Sequence, residues 1–185
     1  DVENVRRMRD AVGPDVEIMI DVNMGWSADV AISTGRKFER YDVYWLEEPV
    51  LADDYAGYLR CAEALDMRVV GGETHFGRAD LKPFFENPRL PILQPDPMRG
   101  GLTELRKIAT VADTWGMTLA PHLFPELNVH LLASIPNGIW AEQMGLLDDL
   151  WVDPPEIADG HITAPERPGH GLAFREEALK AGTLR

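Results

Sequence analysis

The chain has 185 residues, 45% of them apolar, which is enough for a domain with a substantial core. Its net charge of −13 makes nucleic acid and anionic membranes poor partners, and no apolar run approaches the roughly 20 residues of a membrane span. The single cysteine, Cys61, excludes an internal disulfide and fits a reducing, cytoplasmic compartment.

The chain begins at Asp1, without Met, on a pattern that is already helical: Val5, Met8 and Val12 share a face before Gly13-Pro14. Further sequence upstream is expected. Val16 to Ile20 reads as a strand ending at Asp21, and Ser27 as the N-cap of a helix through Phe38. Val43 to Leu46 is the next strand, ended by Glu47-Glu48-Pro49. Tyr55 to Leu65 is helical, with Tyr58, Cys61, Ala62 and Leu65 on one face, where Cys61 reads as a small core residue. Arg68 to Val70 is a short strand running into Gly71-Gly72-Glu73, and Ala79 to Phe85 a short helix.

Leu90 to Leu93 leads to Gln94-Pro95-Asp96, and Thr103 is the expected cap of a helix stopped by Gly116. Met117 to Ala120 leads to Pro121-His122, Leu127 to Ile135 is helical, and Gly138 to Ala141 is a sixth strand ending at Glu142. The tail from Asp148 is rich in Pro and Gly and is expected to wrap the barrel before a last helix near Glu176 to Lys180. The division is therefore a partial barrel over 1–147 and a tail over 148–185. Most strands are continuous apolar runs, as in a parallel sheet buried on both faces.

Asp21, Glu47, Glu73, Asp96, His122 and Glu142 recur at intervals of 20 to 26 residues, each just after an apolar run. One strand, one helix and two loops take roughly 20 to 30 residues, so each residue falls at a successive strand end. In a parallel α/β barrel those ends point at one site. Any one strand-end acid could simply cap a helix or meet an arginine. Asp21, Glu47 and Glu73 together, with no cysteine nearby, suit a hard cation, Mg²⁺ before Zn²⁺. A carboxylate at Asp96 can accept a hydrogen bond from the Nδ1–H of His122, raise its basicity and aim Nε2 at a substrate. Glu142, among other carboxylates, is expected to resist ionisation and to donate a hydrogen bond to a developing oxyanion. Asn23 and His75 follow strand ends and are candidate substrate contacts, as are Trp26, Arg99 and Glu126. The Gly71-Gly72 and Gly100-Gly101 pairs read as tight turns rather than phosphate loops.

Asp21-Val22-Asn23, Trp45-Leu46-Glu47-Glu48-Pro49, Gly72-Glu73, Gln94-Pro95-Asp96, Pro121-His122-Leu123-Phe124 and Ala141-Glu142 resemble, in order, the enolase superfamily, mandelate racemase subgroup (the mandelate racemase and muconate lactonizing enzyme family). The resemblance implies a TIM-like (β/α)7β barrel seen from its third strand onward, without the first strands or the N-terminal capping domain. It implies Mg²⁺ on Asp21, Glu47 and Glu73, with Glu48 beside the ligands and not one of them. It further implies a His122–Asp96 base dyad, Glu142 as electrophilic partner, and abstraction of the proton α to a carboxylate. The family's Lys-x-Lys pair would fall before Asp1.

Racemisation needs a base on each face of the α-carbon, whereas syn dehydration can use His122 twice. Acid-sugar dehydration is the commonest activity among family members with this dyad, so the resemblance implies a lyase that dehydrates a sugar acid to a 2-keto-3-deoxy acid, and, since the family tends to assemble, a homo-oligomer. A racemase or epimerase of a 2-hydroxy acid, lactone formation and a silent paralogue or structural fragment remain alternatives. A two-carboxylate glycosidase would leave Glu73, Asp96 and His122 unexplained.

Overall fold

The computed structural model describes residues 1–87 and 89–182. Helices and parallel strands alternate along the chain: α1 (Val2–Val12), β1 (Ile18–Asp21), α2 (Ala28–Phe38), β2 (Val43–Glu47), α3 (Tyr55–Ala64), β3 (Arg68–Val70), α4 (Lys82–Phe85), β4 (Ile92–Leu93), α5 (Pro97–Thr114), β5 (Thr118–Leu119) and α6 (Pro125–Leu132). β1, β2 and β3 pair side by side in parallel. A single parallel bridge from Gly71 to Leu93 carries the array on to β4, which pairs with β5.

Alternation along each strand splits the core in two. Leu46, Val69, Leu93 and Leu119 turn outward into the large core under the helices, with Phe38, Tyr58, Cys61 and Ile108. Trp45, Val70, Ile92 and Ala120 turn inward as a separate layer, with Met19 and Tyr44 against it. Two residues beyond Met19, Trp45, Ile92 and Ala120 the chain carries Asp21, Glu47, Gln94 and His122, and that period places the site; in β3 the position is Gly72, and Glu73 follows it.

Ser27 caps α2 by accepting from the Val30 N–H, as the sequence predicts. Asp54 caps α3 through the Gly57 N–H at 2.9 Å. Gly71 has no side chain because the Tyr58 hydroxyl sits where one would be: a Cβ there would lie 2.7 Å from Oη.

Four expectations are corrected. Gly138 to Ala141 is not a strand; only one parallel bridge forms, from Leu119 to Gly138. Pro121 follows β5 and has no N–H to carry the ladder on. Thr103 is not a cap: α5 starts at Pro97 with Asp96 as its N-cap, and bends at Gly101, where φ is 72°. Ala79 to Phe85 shortens to the single turn of α4, and Leu127 to Ile135 shifts to Pro125–Leu132, because prolines take the first helical turn in both.

The tail holds an unexpected antiparallel hairpin, β6 (Ile157–Ala158) with β7 (His161–Ile162). Its turn is Asp159-Gly160, both at positive φ, as a two-residue hairpin requires. Trp151 bridges and stacks on Phe174, and α7 (Glu176–Gly182) closes the described chain near the predicted place. Residues 183–185 of the expected tail lie outside the described residues.

Candidate active site

Asp21 and Glu47 are direct partners in the β1–β2 register, so their carboxylates leave neighbouring strands at one level. Asp21 Oδ1 accepts the Asn23 N–H at 2.7 Å, across a turn in which Asn23 and Met24 both take left-handed backbone. Glu47 is buried, and its Oε2 accepts the Trp45 indole N–H at 3.1 Å. Glu73 follows Gly72, whose φ of 132° turns the chain inward at the end of β3. Asp21, Glu47, Gln94 and Glu142 share one cavity of about 240 Å³, with Met19 and Trp45 among its other walls.

His122 stands two residues beyond the inward-facing Ala120. Its Nδ1 lies 2.7 Å from Asp96 Oδ2, and its Nε2 lies 3.3 Å from Glu73 Oε2. Asp96 is buried, and its other oxygen accepts the Met98 N–H at 2.5 Å as the α5 cap. Glu142 Oε2 accepts the Leu123 N–H at 2.8 Å. The six expected residues therefore gather at one end of the strand array, with Asp96, His122 and Glu73 linked in a chain and Asp21, Glu47 and Glu142 around one cavity.

The electrostatics are those of crowded negative charge. Burial, and then the charges of Asp21, Glu142 and Glu73, push Glu47 up to about 7, against a hydrogen bond from Gln94. Burial and the Glu48 carboxylate push Glu73 up to about 7 as well. Burial alone would lower His122, but the Asp96 hydrogen bond and the Glu73 and Glu142 charges outweigh it, and its pKa is raised. Glu48, fully buried at φ 39°, turns away from the cavity and accepts from Thr74 Oγ1 at 3.2 Å.

These donors suit a hard cation in kind. They are all carboxylate oxygens, and among the described residues no lysine or arginine pairs with Asp21, Glu47, Glu73 or Glu142. They are not closed into a shell: among the described residues no group of three or more His, Cys, Asp or Glu side chains is drawn together tightly enough to hold a metal as it stands. Glu73 is instead turned toward His122.

The secondary candidates divide. Asn23 is exposed beside Asp21. Arg99 reaches over the Phe76 ring and donates to the Glu73 carbonyl at 3.4 Å. His75 is neither a surface residue nor a wall of the cavity; it is buried against the rings of Tyr55 and Phe84, and burial lowers its pKa. Trp26 packs on Phe38 in the core. Glu126 is buried toward the tail and accepts the Trp151 indole N–H at 3.1 Å.

Sequence reasoning misses Trp45 and Gln94, which surround Glu47. Both lie two residues from a position on the inward face, so strand alternation carries the signal, masked by the apolar character of one and the neutrality of the other.

Residues 1–178 match the family model described as enolase C-terminal domain-like. The chain is 34% identical, over 97% of its length and 50% of the relative's, to a 3,6-anhydro-alpha-L-galactonate cycloisomerase from Streptomyces coelicolor. It is 32% identical to an L-talarate/galactarate dehydratase from Salmonella typhimurium, over 97% of this chain and 46% of that one. A crystal structure of a racemase from Streptomyces coelicolor with bound magnesium superposes with a TM-score of 0.93 at 34% identity, covering 98% of this chain and 50% of that one. The chain spans about half the length of the curated relatives it matches. Among the described residues no helix is long and apolar enough to cross a membrane.

Proposed function

The chain belongs to the enolase C-terminal domain-like family, and from that premise we propose that it is the catalytic part of a Mg²⁺-dependent sugar-acid dehydratase. Residues 1–147 carry the partial barrel and residues 148–185 the tail, and the whole protein works as a homo-oligomer. The observation that carries the reading is the His122–Asp96 pair at 2.7 Å, set beside carboxylates from three neighbouring strand ends. A glycosidase has no use for that imidazole.

Asp96 accepts a hydrogen bond from the Nδ1–H of His122 and so fixes the tautomer in which Nε2 is the base. Nε2 then removes the proton α to the substrate carboxylate. Asp21, Glu47 and Glu73 are the residues that would hold Mg²⁺, which supplies positive charge where the substrate carboxylate gains negative charge. Glu142, fixed by the Leu123 N–H, hydrogen-bonds the same carboxylate. His122, now protonated, returns that proton to the β-hydroxyl, which leaves as water. The enol left behind tautomerises to a 2-keto-3-deoxy acid. Asn23, exposed at the rim beside Asp21, is placed to contact substrate hydroxyls; His75 is too deeply buried for that role.

The test is a screen of hexarate, hexonate and pentonate sugars with the full-length protein, with Mg²⁺ and again with EDTA, read as 2-keto acid. A Mg²⁺-dependent keto product supports the dehydratase and names its substrate. Solvent deuterium entering a 2-hydroxy acid without a keto product points instead to racemisation. Ring closure to a lactone or cyclised acid points to cycloisomerisation, which the 34% identity to a cycloisomerase makes the second reading. No turnover and no exchange would sink all three.

A further inference from the structure

The turn that carries His122 is strained. Leu123 and Phe124 take left-handed backbone at φ 43° and 44°, although neither is Gly or Asn. Such backbone is strained and persists only where the surroundings over-determine it. Asn128, on the first turns of α6 and fully buried, supplies that determination. Its Nδ2 donates to the His122 carbonyl at 3.2 Å and to the Leu123 carbonyl at 2.6 Å. Two carbonyls can be met only by the NH₂ end of the amide, so the orientation follows from the partners. Its Oδ1 is left buried with no hydrogen-bond partner among the described residues. That unmet acceptor is a cost, so an amide at this position is explained by its two donors. The same turn sends the Leu123 N–H to Glu142.

We propose that Asn128 is a positioning residue: by pinning both carbonyls of the strained turn it sets His122 relative to Asp96 and Glu142. It touches no reacting atom and acts through the backbone of His122 and Leu123. The proposal rests on the reading of His122 as the base.

The experiment compares the full-length Mg²⁺-loaded protein with Asn128→Leu, which keeps the volume and loses both donors, and Asn128→Asp, which keeps the shape and turns donors into acceptors. Three quantities are read: α-hydrogen exchange on a sugar acid, the thermal midpoint, and the NMR resonance of the His122 Nδ1 proton. A misplacement of order 1 Å can cost about 10²-fold. The expected result is a fall of about that size in kcat, KM within about twofold, and a shifted or broadened Nδ1 proton in folded protein. An unmoved resonance with unchanged kcat overturns the proposal, and so does a fall in kcat with the resonance unmoved. Unfolding of both variants overturns it too, since Asn128 would then be holding the fold rather than the turn. If the wild-type protein exchanges no α-hydrogen on any sugar acid, the functional reading fails instead. The Nδ1 resonance still decides the role of Asn128: moved supports the pin, unmoved removes it.

Discussion

His122 Nδ1 lies 2.7 Å from Asp96 Oδ2, and the other oxygen of the same carboxylate caps α5 through the Met98 N–H. One aspartate thus anchors a helix start and orients an imidazole from the neighbouring strand. Both of its oxygens are committed, which leaves it little freedom to rotate away from the ring.

That geometry makes His122 the group to remove. His122→Asn should lower α-proton exchange by at least about 10²-fold, the usual contribution of a general base, while Mg²⁺ affinity stays nearly intact. Exchange in D₂O followed by NMR, with isothermal titration of the metal, checks both halves. Unchanged exchange would remove His122 from the mechanism.

Removing the metal should make stability fall with rising pH. Glu47 and Glu73 have folded-state pKa values near 7, against an ordinary 4.5. The folded chain therefore keeps protons that the unfolded chain releases, and stability is lost as pH rises from about 4.5 through 7. His122, also raised, adds a loss of the same sign above its ordinary 6.5. A Mg²⁺ ion held by these carboxylates would require their deprotonated forms, so it should raise the melting temperature more at pH 8 than at pH 5. Scanning calorimetry in EDTA and in Mg²⁺ at the two pH values measures this; a metal-free melting temperature that rises from pH 5 to 8 would contradict it.

The indole of Trp45 donates to Glu47 inside the barrel layer. Partners of this kind typically contribute 10–100-fold to metal affinity. Trp45→Phe should weaken Mg²⁺ by about that factor with the fold intact, as titration and circular dichroism would show. Wild-type affinity in the variant would mean that Glu47 needs no orienting.

Gly71 and Tyr58 should be coupled. Gly71→Ala places a methyl 2.7 Å from the buried Tyr58 hydroxyl, which has no hydrogen-bond partner among the described residues. Overpacking of this kind costs about 1–3 kcal/mol. Tyr58→Phe removes that oxygen at little cost, since the hydroxyl satisfies nothing, and should recover part of the loss; the ring carbons at 3.1 and 3.2 Å remain tight. Denaturant unfolding of the two single variants and the double variant measures the coupling; strict additivity would refute it.

The alternation of elements was legible because continuous apolar runs and helical periodicity are local signals. So were the strand-end positions of Asp21, Glu47, Glu73, Asp96 and His122, because barrel spacing repeats along the chain; Glu142 lines the same cavity from a segment that is not a strand. The Asp159-Gly160 hairpin was not read from the sequence, because the Pro- and Gly-rich tail around it obscures the turn signal. Strand lengths at Gly138 and Leu119 were not, since they depend on what Pro121 can offer a neighbour.

Which residue types arrive at the strand ends, and in what order, is set by the chain's own pattern, because the period of a strand–helix unit is written into its apolar runs. Which of them touch depends on packing between segments far apart in the chain. Glu73 meets His122, Glu142 meets the Leu123 N–H, and His75 turns from the cavity into an aromatic core. Side-chain direction there follows from left-handed turns at Asn23, Glu48 and Leu123, and such turns are imposed by packing across distant segments rather than by local propensity.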